Sequence, residues 1–187
     1  LPYGTLMALN EGKTLMLFVL LVLAAVGMRF LPHVPNFTPI GAMLLFCGAW
    51  MGAKRLWFPM AAIIASDFLL NGLVLHAAPG ADQYFQWAGW LVYLVLGLWL
   101  LRGSVKPLRV AGTTVLGSAA FFAISNFGVW AAGLLYPRTA TGLAECYIAG
   151  LPFAYRMAAG DLCFAALMFG VYAWARQRAA RRATATA

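Results

Sequence analysis

Apolar residues run through this chain in long blocks, broken at intervals by short polar or basic clusters. A membrane helix needs roughly 17–25 predominantly apolar residues. Six blocks approach that length, at about 14–30, 39–53, 57–76, 84–101, 110–135 and 148–175. The second is short and the fifth is long. The pattern predicts an all-α integral membrane protein, built as a six-transmembrane-helix bundle. Small residues within the blocks predict close helix approach. They include Gly48-x-x-x-Gly52 in the second block, Gly117 to Ala120 in the fifth, and Ala158 to Gly160 in the sixth. No internal repeat stands out, and six spans are too few for the usual inverted-repeat transporters.

Composition agrees with this pattern. The chain has 187 residues, 64% hydrophobic and 10% charged, where soluble domains average about 45–50% and 25%. One domain is expected at this length. The net charge of +8 would suit nucleic acid, but the basic residues stand at the ends of apolar blocks, where membrane topology accounts for them. Nucleic acid is therefore excluded as a partner. One set of ends carries Lys13, Lys54, Arg55, Arg102, Lys106, Arg109, Arg176, Arg178, Arg181 and Arg182, and the other only Arg29, Arg138 and Arg156. Basic residues favour the cytoplasm, so both termini are expected there, with three loops outside. Residues 7–176 form the expected membrane domain. Residues 177–187 read as a basic cytoplasmic tail at the inner surface, able to meet anionic lipid or a cytoplasmic partner. Leu1 to Leu6, ahead of Met7, read as a cloning remnant. No small-residue cleavage site follows the first block, which therefore reads as a span.

Candidate chemistry gathers at the outer ends. The stretch from Arg29 to Ala42 holds Pro32, Pro35 and Pro39 beside His33, Asn36, Phe37 and Thr38. Its prolines forbid continuous helix, so it reads as a stiff rim over a binding site. The other outer loops are 77–83, with His76 at its edge, and 136–150, with Tyr136, Arg138, Glu145, Cys146 and Tyr147. Asp67 and Asp161 lie near mid-depth, where a carboxylate needs a partner. Arg29, Arg156 and Ser or Asn side chains could supply one, or the two acids could serve a substrate or a proton. Asn126 is either a structural tie or a ligand contact. Tyr84, Phe85, Trp87, Trp90 and Trp130 suit an interfacial belt or the wall of a pocket for a flat ligand. His33, His76 and Cys146 could each give one axial ligand to a metal inside a bound molecule. No Cys-x-x-Cys or His-Glu-x-x-His occurs, and three cysteines make no disulfide framework. Cys47 and Cys163 read as small core residues. Phosphate loops, nucleotide fingerprints and nucleophile elbows are absent from the sequence, so nothing in it drives transport with ATP.

Several motifs together carry a resemblance. They are Arg29-x-Leu31-Pro32-His33-x-Pro35-Asn36-Phe37-Thr38-Pro39-Ile40-Gly41-Ala42, Ser66-Asp67, Ser125-Asn126-Phe127-Gly128-Val129-Trp130, Tyr136-Pro137-x-Thr139, Gly142-Leu143-x-x-Cys146-Tyr147-x-x-x-x-Pro152-Phe153 and Gly160-Asp161-Leu162. With them the chain resembles the DUF6580 family of bacterial six-span proteins, described as transport proteins, over nearly its whole length after Met7. In architecture it resembles the substrate-binding S-components of energy-coupling-factor vitamin transporters. In size it is similar to the solitary vitamin B12 transporter family (BtuM-like). These resemblances imply a multi-pass protein of the bacterial cytoplasmic (inner) membrane, with a vitamin held under the outer loops and an energising ATPase module as a partner to look for. The docking motif for such a module is not clear here. The B12 family implies roles for His33, Asp67, Tyr84 and Arg156, and a Cys thiolate as axial ligand to cobalt. With no Cys between His76 and Tyr84, that role falls to Cys146, less readily to Cys47, or to a His, with His76 as the alternative.

The expected function is uptake of a vitamin-class small molecule, cobalamin first among them, with no cofactor of the protein's own. The expected contacts are His33, Asn36, Phe37, Asp67, Tyr84, Asn126, Tyr136, Arg138, Tyr147 and Arg156, with Cys146 or His76 on the metal. Loop 136–150, as the longest outer connector, is expected to move. Two rivals stand beside this. One is a haem or redox membrane protein with His33 and His76 as axial ligands. The other is a small intramembrane enzyme using Cys146 with His33 and Asp67.

Overall fold

A computed structural model describes residues 11–76 and 79–185; the remnant assigned to residues 1–6 lies outside them. Every regular element among the described residues is helical. Helix α1 spans Glu11–Gly27 and tightens into a 3₁₀ turn at Met28–Phe30. The proline-rich rim follows, and Pro39 leads into α2, Ile40–Trp50. Helix α3 is Trp57–Leu70, with Pro59 tolerated in its first turn because no hydrogen-bonding partner is needed there. Helix α4 is Asp82–Leu96. Both α3 and α4 widen at their C-terminal ends into π turns, Asn71–Leu75 and Gly97–Leu101. Helix α5, Pro107–Ala132, opens with proline at N1 and closes on Gly133 at φ 70°, the left-handed residue that ends many helices. Helix α6 is Ala140–Ala185.

Among the described residues four helices are long and apolar enough to cross a membrane: Ala53–Leu73, Asp82–Leu101, Pro107–Ala132 and Ala140–Arg182. The apolar helices Leu15–Phe30 and Ile40–Trp50 are shorter. At 1.5 Å per residue α2 is about 17 Å long, well short of a ~30 Å hydrocarbon core. It is also the most enclosed element, with Ile40 to Leu45 and Cys47 to Ala49 all buried. A short helix with extended flanks is tolerated at membrane depth only where protein surrounds it, and here α1, α4, α5 and α6 do so.

Backbone contact sets this packing. A Cβ placed on Gly48 would fall 2.8 Å from Leu98 N, and one on Gly97 would fall 3.0 Å from Leu45 Cα. Helix α2 therefore touches the π turn of α4 main chain to main chain. Gly52 meets nothing, so the Gly48-x-x-x-Gly52 reading needs correction. The glycine opposite Gly48 belongs to another helix, because the chain leaves helical geometry after Trp50.

Asp161 lies where α2, α4, α5 and α6 meet. It is 2% exposed. Tyr93 Oη donates to Asp161 Oδ2, and Ser118 Oγ donates to the same oxygen at 2.8 Å. Of the partners expected from sequence a serine takes part, beside the Tyr93 hydroxyl, which that expectation did not include. Gly41 makes room for them, since a Cβ there would fall 2.7 Å from Tyr93 Cε1 and 2.8 Å from Asp161 Cγ.

Two further expectations are corrected. Residues 140–150 are helix and not loop, so the irregular part of the connector between α5 and α6 is 133–139. The cause is a local cap: the Gly142 N–H donates to Thr139 Oγ1 at 3.1 Å, and Leu143 N–H to Thr139 O at 3.0 Å. The rim at 31–39 is thereby the longest irregular connector among the described residues. The basic residues after Ala175 continue α6 as helix. Cys163 is exposed on the bundle surface, whereas Cys47 is buried as expected.

Replacing Gly48 by Val should destabilise the bundle by about 1–3 kcal/mol through overpacking, read as a lower thermal midpoint in detergent. Gly52→Val should leave the midpoint nearly unchanged; equal losses would remove the backbone contact as the cause.

Candidate functional site

Two polar centres lie toward the end of the bundle that carries the proline-rich rim. The first is built on Asp67, at 3% exposure. Arg29, carried by the 3₁₀ turn after α1, pairs with Asp67 Oδ1 and also donates to Ser66 Oγ. Gln83 Nε2 and Trp87 Nε1, both from α4, donate to Asp67 Oδ2 at 3.1 and 2.7 Å. Asn71 Nδ2 donates back to Asp67 O at 2.8 Å, where α3 widens. Both carboxylate oxygens are thus occupied by donors from two other helices. Burial of an ion pair is tolerable when the remaining lone pairs are also satisfied, and Gln83 and Trp87 do this. Asp67 is a fastener between α1, α3 and α4.

The second centre is a cavity of two adjoining lobes, of about 210 and 300 Å³. Asn36, Gln86, Phe121 and Met157 line both lobes. The first adds Ser125, Asn126 and Phe153, and the second adds Arg29, His33, Thr38 and Trp90. The cavity is bordered by the rim, α4, α5 and α6 and opens at the surface. Asn36 holds a left-handed backbone at φ 62°, a conformation that asparagine tolerates better than most residues. Gln86 reaches Asp82 Oδ2 at 3.4 Å, and Asn126 Nδ2 donates to Phe122 O at 2.9 Å. Three amides from three segments therefore border one space whose other walls are aromatic and sulfur-bearing. Such a mixture fixes the orientation of a small ligand with a flat apolar body.

The expected site residues divide sharply. His33, Asn36 and Asn126 line the cavity, and Asp67 stands behind it through Arg29. Phe37 lies beneath the rim instead. Its backbone covers Gly160, where a Cβ would fall 3.1 Å from Phe37 Cα, and its ring meets Phe164 at 5.6 Å between centroids. Tyr84 is 68% exposed and leans edge-on against Trp87. Tyr136 is half-buried in the α5–α6 turn, and Arg138 Nη2 donates to Ala132 O at 3.1 Å in that turn. Tyr147 Oη donates to Ala123 O at 2.6 Å, tying α6 to α5. Arg156 is half-buried, with its guanidinium 5.9 Å from the Tyr155 ring centroid.

Cys146 is buried, with Sγ donating to Asn126 O at 3.3 Å, and lines neither lobe. His76 is exposed at the left-handed cap of the π turn after α3 and also lines neither. The two imidazoles therefore face no common space, and Cys146 stands apart from the cavity that His33 borders. Among the described residues no three His, Cys, Asp or Glu side chains gather as a metal site. Sequence reasoning missed Gln86, an amide inside an apolar block that needed a partner as much as Asn126 did, and Gln83, which was read as the end of a loop. It also missed Phe121, Phe122, Phe153 and Met157, whose apolar character does not distinguish them from ordinary core.

Asp67→Asn should strand Arg29 in a partly buried position and cost about 3–5 kcal/mol. The double variant Asp67→Asn with Arg29→Gln should recover part of that loss. A double-mutant cycle on thermal stability in detergent checks this, and strict additivity would contradict the pairing.

No curated protein and no solved structure matches the chain. One family profile does, over residues 9–184. The chain belongs to DUF6580, a family of unknown function.

Proposed function

We propose that this protein crosses the membrane six times, with both termini cytoplasmic, and takes up a small vitamin-class molecule through the cavity under the rim. The observation that carries this reading is the convergence of Asn36, Gln86 and Asn126 on one space walled by Trp90, Phe121, Phe122 and Met157. Ligand sites commonly occupy about 300–1,000 Å³, mostly apolar, with a few placed polar groups. The two lobes together fall in that range. Arg29 contributes little net charge, since Asp67 neutralises it. A neutral or weakly polar ligand with hydrogen-bonding edges is favoured over a strong anion.

Cobalamin is the largest candidate cargo. A corrin with its side chains exceeds the two lobes in size, so its admission requires the rim at 31–39 to shift outward. His33 is the imidazole that borders the cavity, and it replaces Cys146 as the first choice for an axial ligand to cobalt. Its Nδ1 lies 2.7 Å from Leu31 O, which leaves Nε2 as the nitrogen to offer.

Six spans follow if α1 and α2 cross together with the longer four. The enclosure of α2 supports this, because protein covers Ile40 to Leu45 and Cys47 to Ala49 along the helix itself. The basic ends at Lys54, Arg55, Arg102, Lys106 and Arg109 support the orientation. Single cysteines placed at Pro35 or Arg138 should react with an impermeant maleimide on intact cells. Those placed at Lys54 or Arg102 should react only after permeabilisation. Reaction at all four positions on intact cells would overturn the topology.

Ligand binding is checked on the purified protein by thermal stabilisation with a panel of small vitamins, and by absorbance after incubation with cyanocobalamin and desalting. A stabilising ligand should lose at least tenfold in affinity in Gln86→Ala and Asn126→Ala. Retained corrin with a shifted visible band that disappears in His33→Ala would identify cobalamin. Neither stabilisation nor retention would leave the cavity without a ligand and sink the uptake reading.

A further inference from the structure

A second concavity lies far from the outer cavity, on the opposite half of the bundle. It runs between α1 and α6, is lined by Leu17, Phe18, Leu21, Phe46, Met168 and Tyr172 among others, and measures about 610 Å³. Its lining is apolar apart from the Tyr172 hydroxyl. Leu17 is 49% exposed, so the groove opens at the surface that an apolar bundle turns to lipid. Along α6 the groove follows Leu167, Met168, Val171, Tyr172 and Ala175, a single helical face. From 167 to 175 this face is about 12 Å long, most of one leaflet's share of a ~30 Å hydrocarbon core.

The end of the groove is basic. Arg176 follows Ala175 directly, and its guanidinium lies 5.9 Å from the ring centroid of Tyr172, itself a groove residue. Arg178 continues the face one turn beyond Ala175, and Arg182 stands a further turn on. Arg178 lies 5.3 Å over the ring of Trp174, which is 60% exposed, an aromatic placement typical of the membrane interface. No acidic residue occurs in the sequence after Asp161, so the side chains of this end of α6 are basic or neutral.

We propose that the α1–α6 groove is a binding site for one anionic phospholipid, its acyl chain along Phe18, Phe46, Met168 and Tyr172 and its phosphate at Arg176 and Arg178. The chain supplies apolar contact and the headgroup supplies charge, and the two features meet at one place on the surface. This inference rests on the membrane reading alone and is independent of the ligand of the outer cavity. A comparable groove between α3 and α4, lined by Trp57, Met60, Leu91 and Leu98 with about 370 Å³, serves as the internal comparison.

The test uses the full chain, incorporated into vesicles in which phosphatidylcholine is the major lipid and phosphatidylglycerol the minor one. After extraction into mild detergent, native mass spectrometry counts the lipids retained per protein. One phosphatidylglycerol should remain in preference to phosphatidylcholine. Arg176→Gln and Arg178→Gln should each lower its retention about fivefold, from the contribution of a basic side chain near an anionic surface. Leu17→Trp, which fills the groove from its exposed edge, should abolish retention while leaving helix content intact by circular dichroism. Met60→Trp in the comparison groove should change nothing. Equal retention of both lipids, or retention indifferent to Leu17→Trp, would overturn the proposal. So would a protein dimer that Leu17→Trp dissolves, since a second copy would then cover the groove.

Discussion

No water reaches the middle of a bilayer, so each buried polar group of this bundle must be answered by another part of the chain. Asp161 is the group on which most depends. A carboxylate at mid-depth costs about 2.5–3.5 kcal/mol on insertion scales, and its partners come from α4 and α5 as the Tyr93 and Ser118 hydroxyls. They reach it because α2 carries glycine at position 41 and α5 carries glycine at 117, where a Cβ would fall 2.7 Å from the Tyr93 ring. One acid thereby dictates the approach of four helices. The enclosed position of α2 is a consequence.

The second acid does a different task. Asp67 holds Arg29 at the end of α1, and Arg29 borders the outer cavity. The rim that starts there is anchored again where Phe37 covers Gly160, directly beside Asp161. The proline-rich segment is therefore tied at two points to the two buried acids. Between those ties lie His33 and Asn36, two of the rim residues that line the cavity. A rim tied in this way can present polar groups over a pocket without secondary structure of its own. That matches the proposed role as the cover of a small-molecule site.

The bundle also divides in chemistry along its length. The half that carries the rim collects amides, an imidazole and aromatic walls around one cavity. The other half offers an apolar groove that ends in arginines. One physical cause separates them. Polar groups inside an apolar bundle survive only where protein or ligand satisfies them, whereas a lipid-facing surface needs only apolar contact and charge at the headgroup level.

Helical class, apolar blocks and the special status of the stretch from Arg29 to Ala42 were legible from the chain alone, because hydropathy and proline act locally. The need for partners at Asp67, Asp161 and Asn126 was legible too, since burial of a polar group demands one. The partners themselves were not. Arg29 and Asp67 stand 38 residues apart and Tyr93 and Asp161 stand 68 apart, and only the packing of helices selects among the available donors. The start of α6 turned on a Thr139 cap, a local signal that was present but outweighed by the loop-like character of the residues around it. Cys146 looked accessible in sequence, and tertiary structure turned it onto Asn126 O because α6 begins a full turn before it. Sequence by itself determined what must be buried and what must be answered. Tertiary structure decided which side chain answers, because distance in a packed bundle is set by helix approach and not by position along the chain.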